Sequence, residues 1–117
     1  MIRLNKPTIN KHEFEQLQHE NAKLIILDVR DVEKYQSGSL HVPGIATKNV
    51  PYIHMKEQDQ ALPEETAQAC ADATIITLCT SGNKAQKAAA LLREKGYRAS
   101  ALEGGLTAWH ADGMQSE

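Results

Sequence analysis

Residues 74–96 read TIITLCTSGNKAQKAAALLREKG, and this stretch decides the fold class. The apolar, β-branched run Thr74–Leu78 is continuous rather than alternating, which predicts a strand covered on both faces, as in a parallel sheet. Apolar residues then recur at helical spacing within Lys84–Lys95, and Gly96 stands where a left-handed helix stop belongs. They are Ala85, Ala88, Ala89 and Leu92. The stretch therefore predicts one strand–loop–helix unit of an α/β domain.

The same two patterns continue on both sides of this unit. A second continuous apolar run predicts a strand at Leu24–Leu27, a weaker run predicts one at Ala99–Leu102, and two short edge strands are expected at Thr8–Ile9 and Gly44–Val50. One helix is expected from the cap Asn10 to about Glu20, and a second from the cap Asp31 to about Gln36. Two further helices are expected from Pro63 to about Ala71 and over Leu106–Ala111. Strands that alternate with helices predict a mainly parallel sheet.

Length and composition indicate one globular domain over residues 1–117, with 41% hydrophobic and 24% charged residues. Lys plus Arg total 13 and Asp plus Glu total 15, so the formal charge of −2 lacks the basic surface of a nucleic-acid binder. No apolar run approaches the ~20 residues that span a bilayer, and residues 1–11 have no apolar signal-peptide core. We therefore expect a cytoplasmic protein that binds neither nucleic acid nor membrane.

The cysteines and histidines predict no metal site. The two cysteines, Cys70 and Cys79, should both be thiols in a reducing compartment. No Cys-x-x-Cys pair and no zinc-type histidine spacing occurs in the sequence.

Cys79 closes the buried strand and opens the loop Thr80-Ser81-Gly82-Asn83, which ends at Lys84. Ligands of open α/β sheets bind beyond the carboxyl ends of the strands. Loop N–H groups and a helix N-terminus at that place stabilise anions and favour the thiolate form of a cysteine. Gly82 lets the loop curl without a side-chain clash. We predict that Cys79 is a nucleophile and that residues 80–84 bind an anionic substrate.

Each of these residues also has a simpler interpretation. A cysteine at a strand end is often a packing residue, but the glycine loop and the cation that follow Cys79 favour a reactive one. Cys70 lies in an alanine-rich helical stretch without such a loop, so packing is the better interpretation there. Lys84 could be a solvated lysine of the first helical turn. Because cations are disfavoured at a helix N-terminus, anion binding explains it better.

Four segments in order along the chain resemble the rhodanese-like sulfurtransferases. They are similar to the family's Asp-Val-Arg strand end, His-Ile-Pro-Gly-Ala turn, Cys-x-x-Gly-x-Arg active-site loop and Gly-Gly-x-x-x-Trp ending. In this chain they read Leu27-Asp28-Val29-Arg30, His41-Val42-Pro43-Gly44-Ile45, Cys79-Thr80-Ser81-Gly82-Asn83-Lys84 and Leu102-Glu103-Gly104-Gly105-Leu106-Thr107-Ala108-Trp109.

The resemblance implies a five-stranded, mainly parallel sheet with helices on both faces. It also implies that Cys79 accepts a sulfane sulfur as a persulfide, from a small donor such as thiosulfate or a persulfide. The acceptor would be cyanide, a small thiol or a protein, and no metal or organic cofactor is implied. The six-residue Cys79–Lys84 loop resembles that of sulfur-transferring members, whereas related phosphatases have a longer one.

Two departures from the family pattern keep other functions open. Lys84 replaces the usual arginine and lacks its bidentate fork, and Ile45–Pro51 is longer than the common Gly-Ala-x-Asn-Ile-Pro form. One alternative is a non-catalytic module that binds a partner or senses sulfide. The other is a cysteine phosphatase or an arsenate reductase on the same fold.

Asp28, Arg30 and His41 are expected to support the site. Asp28 at a strand end could be a phospho-acceptor, but no acidic pair near Thr8–Ile9 accompanies it, so an ion pair or loop bracing is favoured. His41 beside Pro43-Gly44 is most simply a turn residue hydrogen-bonded to backbone. Trp109 is expected to anchor the terminal helix in the core.

Overall fold

Five parallel strands form one sheet in the order β1-β5-β4-β2-β3. The computed structural model describes residues 7–20, 23–57 and 62–109. The strands are β1 (Thr8–Ile9), β2 (Leu24–Asp28), β3 (Ala46–Asn49), β4 (Thr74–Leu78) and β5 (Arg98–Leu102). The predicted five-stranded parallel sheet is confirmed. The edge strand expected at Gly44–Val50 is shorter, because Gly44 lies in a turn that Ile45 closes by donating its N–H to Val42 O.

The pairing of β2 with β4 fixes where the loops leave the sheet. The two strands run in register from Leu24 opposite Thr74 to Asp28 opposite Leu78. Every residue of both strands is buried, which explains why their apolar runs are continuous rather than alternating. Because the carboxyl ends coincide, the chain after Asp28 and the chain after Leu78 leave the same edge side by side. The Val29 N–H extends the pairing by donating to Leu78 O at 2.9 Å.

Helices connect the strands on both faces of the sheet. They are α1 (Lys11–His19), α2 (Val32–Gln36), α3 (Tyr52–Glu57), α4 (Glu64–Cys70) and α5 (Asn83–Glu94), and residues 105–109 are also helical. The end of the helix predicted over Leu106–Ala111 lies outside the described residues. In the described ranges no helix is long and apolar enough to cross a membrane.

Two of these helices differ from the sequence prediction. Helix α3 was not expected, because it is short and buries only Met55, so it leaves no periodic apolar pattern. Asn10 caps α1 through a capping box with Glu13, whereas the Asp31 side chain makes no capping hydrogen bond to α2. Asp31 occupies the predicted cap position without the predicted contact.

Two apolar clusters, one on each face of the sheet, make the core. One lies under α3, α4 and α5 and includes Cys70, which confirms the expected packing position of that thiol. The other lies under α1 and the last helix. There Trp109 packs edge to face on Phe14, with ring centroids 5.5 Å apart, so the expected anchor role of Trp109 in the core is confirmed.

Candidate active site

Cys79 lies at the carboxyl end of β4, where its sulfur meets the backbone of the following loop. The residue is only 4% exposed. Its Sγ accepts hydrogen bonds from the N–H groups of Gly82 at 3.0 Å and Ala85 at 3.3 Å. Gly82 has φ 103°, a left-handed conformation that glycine adopts without strain and that turns the chain into α5. Two fixed N–H dipoles therefore point at the sulfur, an arrangement that stabilises negative charge on it.

A pocket of about 230 Å³ opens over the Cys79 sulfur. The loop and the first turn of α5 form one wall, and the other wall comes from the chain after β2. The lining residues are Arg30, Lys34, Cys79, Thr80, Ser81, Asn83 and Lys84. Three of them are cations and none is acidic, so the pocket suits an anionic ligand.

The positive charge of Arg30 is already paired with Asp28. Arg30 Nη2 donates to Asp28 Oδ2 at 2.7 Å and Arg30 Nε donates to Asp28 Oδ1 at 3.0 Å. Asp28 is fully buried and the Arg30 side chain is only 10% exposed. The Asp28 hydrogen bonds raise the pKa of Arg30, burial opposes that rise, and the nearby Cys79 adds to it. The ion pair favoured from the sequence is therefore present, and it holds the Arg30 guanidinium at the pocket with its charge balanced by Asp28.

Three residues later in the chain hold this ion pair in place, two from the loop after α2 and one from the end of β3. The Ser39 hydroxyl donates to Asp28 Oδ2 at 2.6 Å, and Arg30 Nη2 also donates to the Gly38 carbonyl. Asn49 Nδ2 donates to the backbone carbonyls of Asp28 at 3.0 Å and Arg30 at 2.9 Å. The sequence analysis did not assign a role to Asn49, although a polar residue at the end of an expected strand, two positions before Pro51, was a usable signal.

The Gly104-Gly105 turn lies directly behind the Cys79 loop. The N–H groups of Leu106 and Thr107 donate to the carbonyls of Cys79 at 3.0 Å and Thr80 at 3.1 Å. A Cβ on Gly105 would lie 2.2 Å from the Cys79 carbonyl oxygen, so only glycine fits this position. The fourth family-like segment therefore contacts the third through backbone atoms.

The structure brings the predicted site residues together around Cys79, with the exception of His41. Thr80, Ser81, Asn83 and Lys84 line the pocket, while Gly82 stands behind it and contributes its N–H. His41 is exposed and does not line the pocket. Within the described ranges its ring makes none of the predicted backbone hydrogen bonds, because the turn at 42–45 is closed by its own backbone.

Lys34 is the pocket residue that sequence reasoning missed. It lies on α2, which buries none of its side chains. Such a helix gives no periodic signal, and its place over the pocket follows only from the adjacency of β2 and β4.

Cys70 and Cys79 are both buried, but Cys70 does not line the pocket. It is 1% exposed and packs among apolar side chains. Burial raises the pKa of the Cys70 thiol to about 11, against a smaller opposing effect of Lys48. Within the described residues no group of three or more His, Cys, Asp or Glu side chains could hold a metal ion.

Comparison with known proteins places this chain in a family. Residues 10–112 match the profile of the rhodanese-like domain. The chain is 32% identical over 105 residues to a maize (Zea mays) adenylyltransferase and sulfurtransferase, covering 89% of this chain but 21% of the relative's length. It is 31% identical over 90 residues to the thiosulfate sulfurtransferase GlpE of Stutzerimonas stutzeri, covering 76% of this chain and 72% of that protein. The chain thus spans about a fifth of the maize protein and most of the bacterial one.

Solved structures share the fold. The human single-domain sulfurtransferase superposes with a TM-score of 0.67 and 24% identity, over 92% of this chain and 97% of that one. At this identity the likeness concerns the arrangement of strands and helices.

We expect alkylation to distinguish the two cysteines. At pH 6.5 Cys79 should react with iodoacetamide at least tenfold faster than Cys70, because Cys79 lines the pocket and its sulfur accepts two N–H groups, whereas Cys70 does not line the pocket and burial raises the pKa of its thiol. Timed quenching followed by peptide mapping gives both rates in one sample. Faster modification of Cys70 in the folded protein would contradict the assignment of Cys79 as the reactive thiol.

Removing the buried carboxylate should destabilise the fold. Asp28→Asn leaves the Arg30 guanidinium buried without its counter-ion, so the free energy of unfolding should fall by about 3 kcal/mol. Urea denaturation measures the change. Asp72→Asn is the matched control, because it breaks the exposed Lys23–Asp72 pair and should have little effect. Equal effects of the two variants would show that burial of the Asp28 pair is unimportant.

Proposed function

The chain belongs to the rhodanese-like domain family, and on that basis we propose that it is a sulfurtransferase that carries a sulfane sulfur as a persulfide on Cys79. The observation that carries the proposal is the Cys79 sulfur, held by two backbone N–H groups on the floor of a cationic pocket. The name of the Stutzerimonas stutzeri relative, a thiosulfate sulfurtransferase, supports the same class of reaction.

In the first half-reaction the Cys79 thiolate attacks the outer sulfur of a donor such as thiosulfate. The new bond joins Cys79 Sγ to that sulfur, and the bond between the sulfane sulfur and the sulfonate group breaks. Sulfite leaves with the bonding electron pair. The enzyme is then a Cys79 persulfide whose terminal sulfur carries the negative charge, and the N–H groups of the loop can stabilise that charge.

In the second half-reaction an acceptor nucleophile attacks the terminal sulfur. Cyanide would give thiocyanate, and a thiolate would give a new persulfide on the acceptor. The sulfur–sulfur bond to Cys79 breaks and its electron pair returns to Cys79 as thiolate. A protein thiol is a further candidate acceptor, because the pocket opens to the surface beside exposed Thr80 and Ser81.

Lys34 and Lys84 are proposed to bind the charge of the donor. Arg30 is neutralised by Asp28, so its guanidinium serves mainly to shape the wall of the pocket. The two lysines are exposed, lie on α2 and α5, and have no ion-pair partner among the described residues. A dianion beside Cys79 can therefore contact a free cation on either side.

We place the reaction in the cytoplasm. Both cysteines are free thiols, a state that a reducing compartment maintains.

Mass spectrometry after thiosulfate treatment tests the proposed function. The intact protein should gain one sulfur atom, the added sulfur should map to Cys79, and cyanide should remove it. Cys79→Ser should abolish both the gain and the thiosulfate:cyanide transfer, whereas Cys70→Ser should keep turnover within a few fold. An unmodified Cys79 would favour a non-catalytic module, and turnover of an aryl phosphate or arsenate would favour the alternative enzymes.

Lysine substitutions test how the donor is bound. Lys84→Arg should raise the efficiency with thiosulfate several-fold, mainly through KM, because arginine adds a second parallel hydrogen bond to the oxyanion. Lys84→Ala and Lys34→Ala should each lower efficiency by a factor of about ten, equivalent to ~1.4 kcal/mol of transition-state binding.

Lys87→Ala is the control for these kinetics, because this exposed lysine of α5 does not line the pocket. The loss of catalytic efficiency in Lys84→Ala and Lys34→Ala should be smaller at high salt, because salt screens exposed charges. If Lys84→Ala and Lys34→Ala match the parent at every thiosulfate concentration, the lysines are solvated surface residues, and a neutral molecule or a persulfide explains the natural donor better than a dianion does.

A further inference from the structure

We infer that Thr77 is a positioning residue, whose buried hydroxyl holds the first turn of α5 so that the Ala85 N–H stays on the Cys79 sulfur. Thr77 lies in β4, two residues before Cys79 and outside the four family-like segments. The inference rests on the proposed function in one respect, because it takes Cys79 as the reactive thiol.

The Thr77 side chain is a hydroxyl in an apolar part of the core, where it is fully buried. Side chains alternate along a strand, and Ile75 and Cys79 both belong to the apolar cluster under α5, so Thr77 between them points the same way. Its neighbours on the flanking strands are Leu27 and Ala101, which belong to the same cluster. The hydroxyl is therefore shielded from water, and its burial would be costly without a hydrogen-bond partner.

The partner of this hydroxyl is a backbone carbonyl in the first turn of α5. Thr77 Oγ1 donates to Ala85 O at 2.7 Å, and the Ala85 N–H donates to Cys79 Sγ at 3.3 Å. One residue of the helix is thus joined, through both of its backbone groups, to two side chains on one face of the sheet. Ala85 is itself fully buried, and its small side chain lets the helix lie close to β4.

The Ala85 contact with the sulfur depends on where the first turn of α5 lies. The bond from Gln86 N to Gly82 O begins the helical ladder, so the Ala85 N–H has no partner inside the helix. Its 3.3 Å contact with Cys79 Sγ is longer than the 3.0 Å contact of the Gly82 N–H. A movement of the first turn away from β4 would weaken the Ala85 contact, and the Thr77 hydroxyl opposes that movement because it holds the carbonyl of the same residue.

Thr77→Val removes the hydroxyl and keeps the shape of the side chain. Ala85 O is not left unpaired, because it also lies in the i→i−4 ladder of α5, so the variant should fold. We expect the rate of Cys79 alkylation by iodoacetamide at pH 6.5 to fall about threefold to tenfold, because a weaker hydrogen bond to the charged sulfur disfavours the thiolate. At about pH 10 both proteins carry the thiolate, so the two rates should agree within twofold.

The charged groups around the sulfur are the same in Thr77→Val and in the parent. Those that face Cys79 come from the chain after β2, from α2 and from α5. They are Arg30, Lys34 and Lys84 in the lining of the pocket, and Asp28 in its ion pair with Arg30. Because none of them contacts the Thr77 hydroxyl, a change in the pH profile of alkylation reports on the hydrogen bonds to the sulfur.

Two further variants separate positioning from a general loss of stability. Thr77→Ser keeps a hydroxyl and should keep the parental pH profile. Thr47→Val is the matched control, because the Thr47 hydroxyl also donates to a backbone carbonyl, Leu40 O, at 2.7 Å, but Thr47 does not line the pocket. Thr47→Val should lower the urea midpoint without moving the pH profile of Cys79 alkylation.

A parental pH profile in folded Thr77→Val would overturn the inference, and so would an equal displacement of the profile in Thr47→Val. Thr77→Ala also lacks the hydroxyl and adds no methyl group, so it gives the same test if Thr77→Val does not fold. In thiosulfate:cyanide transfer, the loss caused by Thr77→Val should be largest at low pH. Failure of the proposed function looks different, because the parent would then transfer no sulfur at any pH, while the alkylation profiles would still decide the role of Thr77.

Discussion

The in-register parallel pairing of β2 with β4 is the constraint on which the rest of the structure depends. Asp28 lies opposite Leu78, so both strands release their chains at one level of the sheet edge. Cys79 and Arg30 then lie beside each other. Helix α2 lies next to the loop that connects Cys79 to α5. A shift of one strand by one residue against the other would turn the side chains of the shifted strand to the opposite face of the sheet. The apolar residues that form the core on both sides therefore also hold the pocket together.

The charges around the sulfur fall into a fixed group and a mobile group. Asp28 and Arg30 are buried, paired and held by Ser39 and Asn49, so they form a rigid wall of low net charge. Lys34 and Lys84 are exposed on helices at the rim, where long side chains can adjust to a ligand. In the proposed sulfurtransferase, this division separates the part that keeps the pocket in shape from the part that recognises the donor.

Backbone groups supply the remaining polarity of the site. N–H groups of Gly82 and Ala85 reach the sulfur, and those of Leu106 and Thr107 hold the loop carbonyls from behind. Backbone dipoles that are fixed before a ligand arrives need no reorganisation, which is the condition for strong electrostatic stabilisation. The glycines matter because they let two stretches of chain approach without side chains between them.

The sequence by itself determined the α/β class, the buried strands β2 and β4, the helix α5 and the position of Cys79 before a glycine loop, because periodicity and turn chemistry are local properties. Helix α3, the place of Lys34 and the bracing by Asn49 were decided only by the tertiary structure. Short exposed helices leave no periodic pattern, and the neighbours of a side chain depend on strand order, which no local pattern encodes. His41 shows the same limit for a residue that the sequence analysis expected to support the site. Its turn is recognisable in the sequence, but the sheet carries that turn away from the residues that line the pocket.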